Sequence, residues 1–325
     1  MKEIINLINN NQDFVITSHV NPDGDSIGSE IALHLFLKNL QKSTRIVNYS
    51  PTPQNYLFLD KNNNIEIYNE NNHNQVLQNS DVIFILDTNE YSRLRTMGEV
   101  IKKSRAKKVC IDHHLGDNIN SFDHYVIDTA SPATGEVLYT LFTMYNESSI
   151  TQEIAVPLYT AIMTDTGSFR FPRTDAETHR ITSKLLEKGV NPVEVYKEVY
   201  EKSLIGRLRL LSRFLNNLRM AYEDRIIYGS VTLKDFEETG TNVFDTEGFS
   251  RHMLSLESAQ IAVIFTETGK GIKVSFRSKG NVNVNDYARE FGGGGHQNAA
   301  GTFVPGGKME ALTQQVIGKG MYFIK

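Results

Sequence analysis

The sequence predicts an α/β protein of two bodies. The first is an N-terminal doubly wound domain on a mainly parallel sheet; the second is a smaller C-terminal α/β domain, with a cleft between them. Three observations predict it. Apolar runs of strand length, "DFVITS", "DVIFIL" and "KKVCI", alternate with helical patterns in the first half, as buried parallel strands do. Later the texture changes to the runs "AQIAVIFTE" and "GIKVSFRS", joined by the turn "TGKG" and read as antiparallel strands. The length, 325 residues, suffices for two hydrophobic cores.

In order, "DFVITS" is a strand and "SIGSEIALHLFLKNL" a buried helix. "TRIVNY" is a second strand. The Asn-rich stretch from Asn62 to Asn79 reads as surface loop around a short strand. "DVIFIL" follows, a continuous apolar run of the kind buried on both faces. A polar helix from about Glu90 to Lys103 leads into the strand "KKVCI". From Ala133 to about Met220 the pattern is mostly helical, broken at "SFRFPRT" and at Asn191-Pro192. "SLIGRLRLLSRFLNNLRMAY" reads as one long connecting helix. "RIIYGSVTL" opens the second body, and a helix from about Lys308 closes it. The expected division is residues 1–190, a helical linker over 191–215, and 216–325.

Composition narrows the classes. Hydrophobic residues at 40% and charged residues at 22% describe a globular chain. Cys110 is the only cysteine, which excludes an intramolecular disulfide and a thiolate zinc site. The N-terminus lacks a signal-peptide pattern, and no apolar run is long enough for a membrane span. A cytoplasmic protein with no membrane partner is expected. A net charge of −4 argues against wrapping long duplex nucleic acid but permits a short anionic substrate. Composition leaves a homodimer open.

The chemistry gathers at strand ends. "VITSHVNPDGDSIGS" places His19, Asp23 and Asp25 within seven residues after the first strand. Asp87 ends "DVIFIL", and Asp112, His113 and His114 end "KKVCI". In an open parallel sheet these carboxyl ends face one crevice. Asp165, after the apolar helix "IAVPLYTAIM", can close it from the side. A lone Asp after a strand is usually a cap or turn residue, and His34, His73, His124, His179 and His252 read as structural or surface groups. So many acids together repel one another and would take up protons unless cations pair them. Two divalent metal ions sharing a carboxylate resolve that conflict. Oxygen and imidazole donors favour Mn²⁺ or Mg²⁺ over softer ions, with Fe²⁺, Co²⁺ and Zn²⁺ usable in vitro. Attack of a metal-bridging hydroxide on phosphorus is the natural chemistry.

The run "GGGGHQNAAG" is a second signal. Its glycines, Gly293, Gly294 and Gly295 among them, bare backbone N–H groups for close approach to an anion, and His296 can start a helix facing it. Arg277, ending the strand shortly before, adds a guanidinium.

These motifs resemble those of the DHH phosphoesterase family. "SHVNPDGDSIGS", Asp87, "CIDHH" and "TDTGSF" match its four motifs, and "FRSKG" with "NVNDYAREFGGGGHQNAAG" is similar to its DHH-associated substrate-binding domain. Within the family the chain resembles the bacterial bifunctional oligoribonucleases and pAp phosphatases. The resemblance implies a first Mn²⁺ (or Mg²⁺ or Co²⁺) on His19, Asp23 and Asp87. It implies a second on Asp25, Asp87, His113 and Asp165. Asp112 would orient the site and His114 would contact the scissile phosphate and protonate the leaving oxygen. Arg277 and His296, with the glycines, would hold the substrate, a short RNA or nucleotide. An inorganic pyrophosphatase or exopolyphosphatase shares the metal motifs. Hydrolysis of linear or cyclic dinucleotides shares the chemistry, and a non-catalytic nucleotide sensor would not need all of these groups.

Overall fold

A computed structural model describes residues 1–115 and 121–324. Contacts divide the chain into two units, Met1–Lys202 and Ser203–Lys325.

The first unit runs α1 (Lys2–Asn10), β1 (Asp13–Ser18), α2 (Gly24–Asn39), β2 (Ser43–Asn48), β3 (Ile65–Ile67), α3 (Glu70–Asn79), β4 (Val82–Leu86), α4 (Arg95–Lys103), β5 (Lys107–Asp112) and β6 (His124–Ile127). The helices α5 (Thr134–Asn146), α6 (Gln152–Asp165), α7 (Ala176–Glu187) and α8 (Pro192–Tyr200) complete it. The sheet order is β3-β2-β1-β4-β5-β6, with every neighbouring pair parallel. Successive strands therefore run outward in opposite directions from β1 and β4. That switch point opens a crevice at their carboxyl ends.

Both faces of this sheet are covered. Phe14, Ile16, Phe84, Leu86, Val109 and Ile111 pack with residues of α2, α5 and α6. The alternate residues Val15, Ile83, Ile85 and Cys110 pack with Leu94, Met97 and Ile101 on the other side. This two-sided burial explains why "VIFIL" is apolar throughout, since each face of the strand meets a layer of helices. Between α2 and α6 the approach is close. A Cβ on Gly28 would lie 2.5 Å from the Pro157 carbonyl oxygen, so only glycine fits there.

Four local expectations change. The Asn-rich stretch holds the helix α3 after its strand, capped by Asn69, which accepts from the Asn71 N–H. Its apolar stripe is short, with only His73 and Leu77 buried, so periodicity did not reveal it. The polar helix begins later, with a 3₁₀ turn over Tyr91–Leu94 before α4. The expected long connecting helix is shorter: a helix covers Ile205–Asn216, and Arg219–Ala221 is a strand. The glycine run starts no helix and forms a strand instead.

The second unit runs α9 (Ile205–Asn216), β7 (Arg219–Ala221), β8 (Ile226–Val231), α10 (Leu233–Thr239), α11 (Phe249–Leu254), β9 (Ile261–Thr268), β10 (Gly271–Ser278), α12 (Val284–Arg289), β11 (Gly294–His296), β12 (Ala299–Pro305) and α13 (Met309–Lys319). Its sheet order is β11-β12-β10-β9-β8-β7, antiparallel except for β8 with β9. One face packs Phe265, Phe276 and Tyr287; the other packs Leu210, Phe214 and Phe249. The glycine run becomes β11 because its backbone must lie against β12. A Cβ on Gly293 would meet the Gly301 carbonyl oxygen at 2.3 Å, and one on Gly295 the Ala299 carbonyl oxygen at 2.5 Å.

The α2–α6 contact yields a stability prediction. Gly28→Ala forces the helices apart and is expected to cost about 1–3 kcal/mol in urea unfolding. Gly318→Ala, on an exposed turn of α13 with nothing within 4 Å of the new Cβ, should be neutral or stabilise by up to about 1 kcal/mol. Equal midpoints for Gly28→Ala and wild type would contradict the close packing.

Candidate metal centre

The switch point places the polar residues. His19 follows β1 and Asp87 follows β4, the two central strands. Asp112 is the last residue of β5, with His113 and His114 just beyond. Asp23 caps α2, accepting from the N–H groups of Asp25 and Ser26, and Asp25 lies in that helix's first turn. Asp165 is the last residue of α6. Asp87 holds a left-handed φ of 60°, a conformation that costs energy for a residue other than glycine. It turns the chain sharply where β4 stops.

Three sets of side chains bring their ligand atoms within 4.8 Å of one another. They are His19 with Asp23 and Asp87; Asp25 with His113 and Asp165; and Asp87 with Asp112, His113 and His114. Asp87 and His113 each belong to two sets, so the sets form one continuous centre. Every metal-ligating candidate of the sequence, and both residues of its catalytic pair, therefore comes to one sheet edge.

The imidazoles are oriented from behind. His19 Nδ1 lies 3.0 Å from the Val20 carbonyl oxygen, an acceptor that requires an N–H, which turns Nε2 toward Asp87 Oδ2 at 3.3 Å. His113 repeats the device. Its Nδ1 lies 3.3 Å from the Ser131 carbonyl, and its Nε2 faces Asp165, Asp87 and Asp25 at 3.3, 3.5 and 3.7 Å. Asp112 Oδ1 accepts from the His113 N–H at 2.8 Å and lies 2.6 Å from His114 Nδ1. Asp112 thus fixes the turn and the His114 ring together.

The charges conflict as their crowding requires. Burial acts to raise the Asp87 carboxyl, but the adjoining His113 and His19 outweigh it and hold it well below its ordinary value. Burial, then the charge of Asp87, pushes Asp25 well above. Burial lifts Asp165 to about 7 despite the opposing pull of His113. Burial would lower His113, but Asp87, Asp25 and Asp165 carry it up to about 10. Without further cations the centre therefore favours an ionised Asp87 and draws Asp25, Asp165 and His113 toward protonation.

Four contributors were not read from the sequence. The Ser26 hydroxyl donates to Asp87 Oδ2 at 2.6 Å and lies 2.8 Å from His19 Nε2. Ser29 donates to Asp25 Oδ1 at 3.2 Å. The N-terminus of α5 grips Asp25 from above: the Thr134 N–H reaches Oδ2 at 2.7 Å and the Gly135 N–H reaches Oδ1 at 2.9 Å. Those donors and the helix dipole favour a charged carboxylate there. "DGDS" offered a local signal for Ser26; nothing near Asp25 in sequence signalled Thr134.

The remaining candidates lie in the second unit. Arg277, next to last in β10 and half-buried, donates to the Phe276 carbonyl at 2.9 Å and the Ala300 carbonyl at 3.4 Å. Burial lowers its pKa and the charge of Glu247 opposes that. Gly294 and Gly295 pair with Gly301 and Ala300, and Gly293 precedes them. His296 joins β11 through its backbone; its side chain lies outside the described residues.

The donors fit a divalent metal. Asp112 Oδ2 and His113 Nε2 are buried with no hydrogen-bond partner among the described residues, an arrangement that a cation among the carboxylates would satisfy. The donors are oxygen and imidazole, suited to hard or borderline ions.

Fold and centre together define an α/β protein with a metal-competent acidic site at the switch point of a parallel sheet. Residues 13–162 match the N-terminal domain of the DHH family, and residues 225–319 match the DHHA1 domain. A bifunctional oligoribonuclease and PAP phosphatase of Thermus thermophilus is 30% identical over 302 residues, 93% of this chain and 87% of that protein. The protein of the same description from Bacillus subtilis is 26% identical over 306 residues, covering 93% and 92%. The solved structure of an exopolyphosphatase-related protein from Bacteroides fragilis superposes with a TM-score of 0.94 at 30% identity, covering 98% of this chain and 95% of that one. The chain belongs to the DHH family. No helix among the described residues is long and apolar enough to cross a membrane.

Two outcomes follow for the centre. Metal-stripped protein should gain about 2.7 kcal/mol of stability at a free metal concentration of 100 Kd, read as a rise in Tm that EDTA reverses. Ser26→Ala removes a hydrogen bond to Asp87 but no candidate ligand. It should weaken metal affinity by roughly 10–100-fold, measured by calorimetric titration. An unchanged affinity would show that Ser26 does not orient Asp87.

Proposed function

We propose that this chain is a metal-dependent phosphoesterase that degrades short oligoribonucleotides from the 3′ end and removes the 3′-phosphate of pAp. The observation that carries this reading is the single centre of His19, Asp23, Asp25, Asp87, Asp112, His113, His114 and Asp165 at the sheet's switch point. The two relatives described by both activities, at 26–30% identity over most of the chain, support the choice of substrate.

In this reading His19, Asp23 and Asp87 hold one divalent ion. Asp25, Asp87, His113 and Asp165 hold a second. Mn²⁺ is the preferred ion on donor hardness, with Mg²⁺ or Co²⁺ as substitutes. When bound, the metal supplies Lewis acidity, making water acidic enough to attack phosphorus and offsetting charge on the phosphoryl oxygens. The protein supplies the rest. Thr134 and Gly135 orient Asp25 through two N–H donors. Ser26 fixes the rotamer of Asp87 through its hydroxyl. Asp112 aligns His114, which would contact the scissile phosphate and pass a proton to the leaving oxygen. Arg277, Gly293, Gly294, Gly295 and His296 would grip a substrate phosphate, the arginine by a two-pronged contact that lysine cannot copy.

One observation favours a second reading: the Bacteroides fragilis structure is described as exopolyphosphatase-related. Linear and cyclic dinucleotides would share the chemistry. A substrate panel separates these readings. With Mn²⁺, the protein should cleave di- to pentaribonucleotides and pAp faster than pyrophosphate, polyphosphate or a twenty-mer RNA. Faster turnover of polyphosphate would replace the nucleotide reading.

The triplet gives a sharper test. His113→Ala should lose metal, whereas His114→Ala should keep metal while kcat falls by about 10²–10⁴-fold. Equal metal loss in the two variants would make His114 a ligand and end its proton-transfer role.

A further inference from the structure

A second feature lies on the same sheet edge, beyond β1. Tyr49 follows β2 and Tyr68 follows β3, and the parallel register pairs Asn48 with Ile67, so the two tyrosines leave the sheet side by side. Their ring centroids are 6.4 Å apart with 26° between the planes. Tyr68 is fixed at both ends: its N–H donates to the Asn48 carbonyl at 2.8 Å, and its hydroxyl donates to Asn74 Oδ1 at 2.6 Å. Tyr49 keeps 38% of its surface exposed. With Asn69, Glu70, Asn71 and Thr96 the rings line a cavity of about 540 Å³.

Two facts connect this cavity to the metal centre. β2 lies beside β1 in the sheet, paired as far as Ile16 with Ile46, and that register carried on three residues sets Tyr49 level with His19, with Tyr68 one strand further out. The loops are also tied together. The Asn21 N–H donates to Ser50 Oγ at 3.0 Å, and the Val20 N–H donates to the Arg93 carbonyl at 2.7 Å.

The lining chemistry selects the occupant. It contains no Lys or Arg and one carboxylate, Glu70, so it repels phosphate. Two near-parallel aromatic rings instead offer flat apolar faces, on which any nucleobase stacks. Asn69, Asn71 and Glu70 supply amide and carboxylate groups of the kind that pair with base edges. Core packing does not account for an exposed tyrosine beside an open polar cavity.

We infer that Tyr49 and Tyr68 form a nucleobase-stacking subsite of the first unit, holding the base of a nucleotide whose phosphate lies at the metal centre. The inference rests on the proposed nucleotide activity and adds a determinant of substrate choice. It assigns to the first unit a means of telling a nucleotide from a polyphosphate, since only the nucleotide carries a base.

The test compares wild type, Tyr49→Leu, Tyr68→Leu and Tyr49→Phe on a diribonucleotide and on the same dinucleotide made abasic at either position. Metal content and Tm of each variant are measured alongside. Tyr49→Leu and Tyr68→Leu should raise KM for the intact dinucleotide by about tenfold, with kcat and bound Mn²⁺ unchanged. Tyr49→Phe keeps the ring and should match wild type. On the dinucleotide lacking the stacked base, wild type should be as weak as the leucine variants, which should lose nothing more. If wild type cleaves the dinucleotide and both leucine variants share its KM, the subsite is wrong while the activity stands. If wild type cleaves polyphosphate but no oligonucleotide, the activity is wrong and the subsite falls with it.

Discussion

Mutual repulsion among Asp25, Asp87, Asp112 and Asp165 is the constraint on which the first unit depends. The first three are at most 1% exposed, where water cannot screen them. The fold spends much of its architecture on containing that charge. His19 and His113 point ring nitrogens at Asp87, α5 aims two N–H groups at Asp25, and Ser26 donates to Asp87. These groups still leave Asp25 and Asp165 drawn toward protonation. A divalent cation would complete the compensation, and the buried, unpartnered Asp112 Oδ2 and His113 Nε2 lie among the carboxylates it would meet.

Packing keeps that geometry in register. Asp25 lies in the first turn of α2 and Asp165 ends α6, so the distance between the two helices sets the width of the centre. Gly28 lets them approach to backbone contact. The strain stored at Asp87, at positive φ, is held by its N–H bond to the Ile111 carbonyl at 3.0 Å, which ties the end of β4 to β5. Site and core are thus mechanically one object.

Much of this was legible in the sequence because parallel strands declare themselves twice. "VIFIL" is apolar throughout since both faces are covered, and the polar residue that follows must lie at the crevice. Hence His19, Asp87 and Asp112 could be placed together without any contact information. Other parts left no local trace. Thr134 meets Asp25 across 109 residues through its backbone N–H, while its hydroxyl donates to Asp87 Oδ1 at 3.2 Å. The helix α3 shows few apolar positions, and its Asn residues imitate a loop. The glycine run reads locally as an anion-binding turn that can start a helix, and only its pairing with the partner strand β12 makes it a strand.

The most direct measurement is calorimetric titration of metal-stripped protein with Mn²⁺, with bound metal counted by elemental analysis. The account predicts two ions per chain in wild type. In Asp87→Asn it predicts weakening at both sites, because Asp87 is proposed to serve both ions. A wild-type chain that binds no ion, or an Asp87→Asn chain that binds two as tightly as wild type, would contradict it.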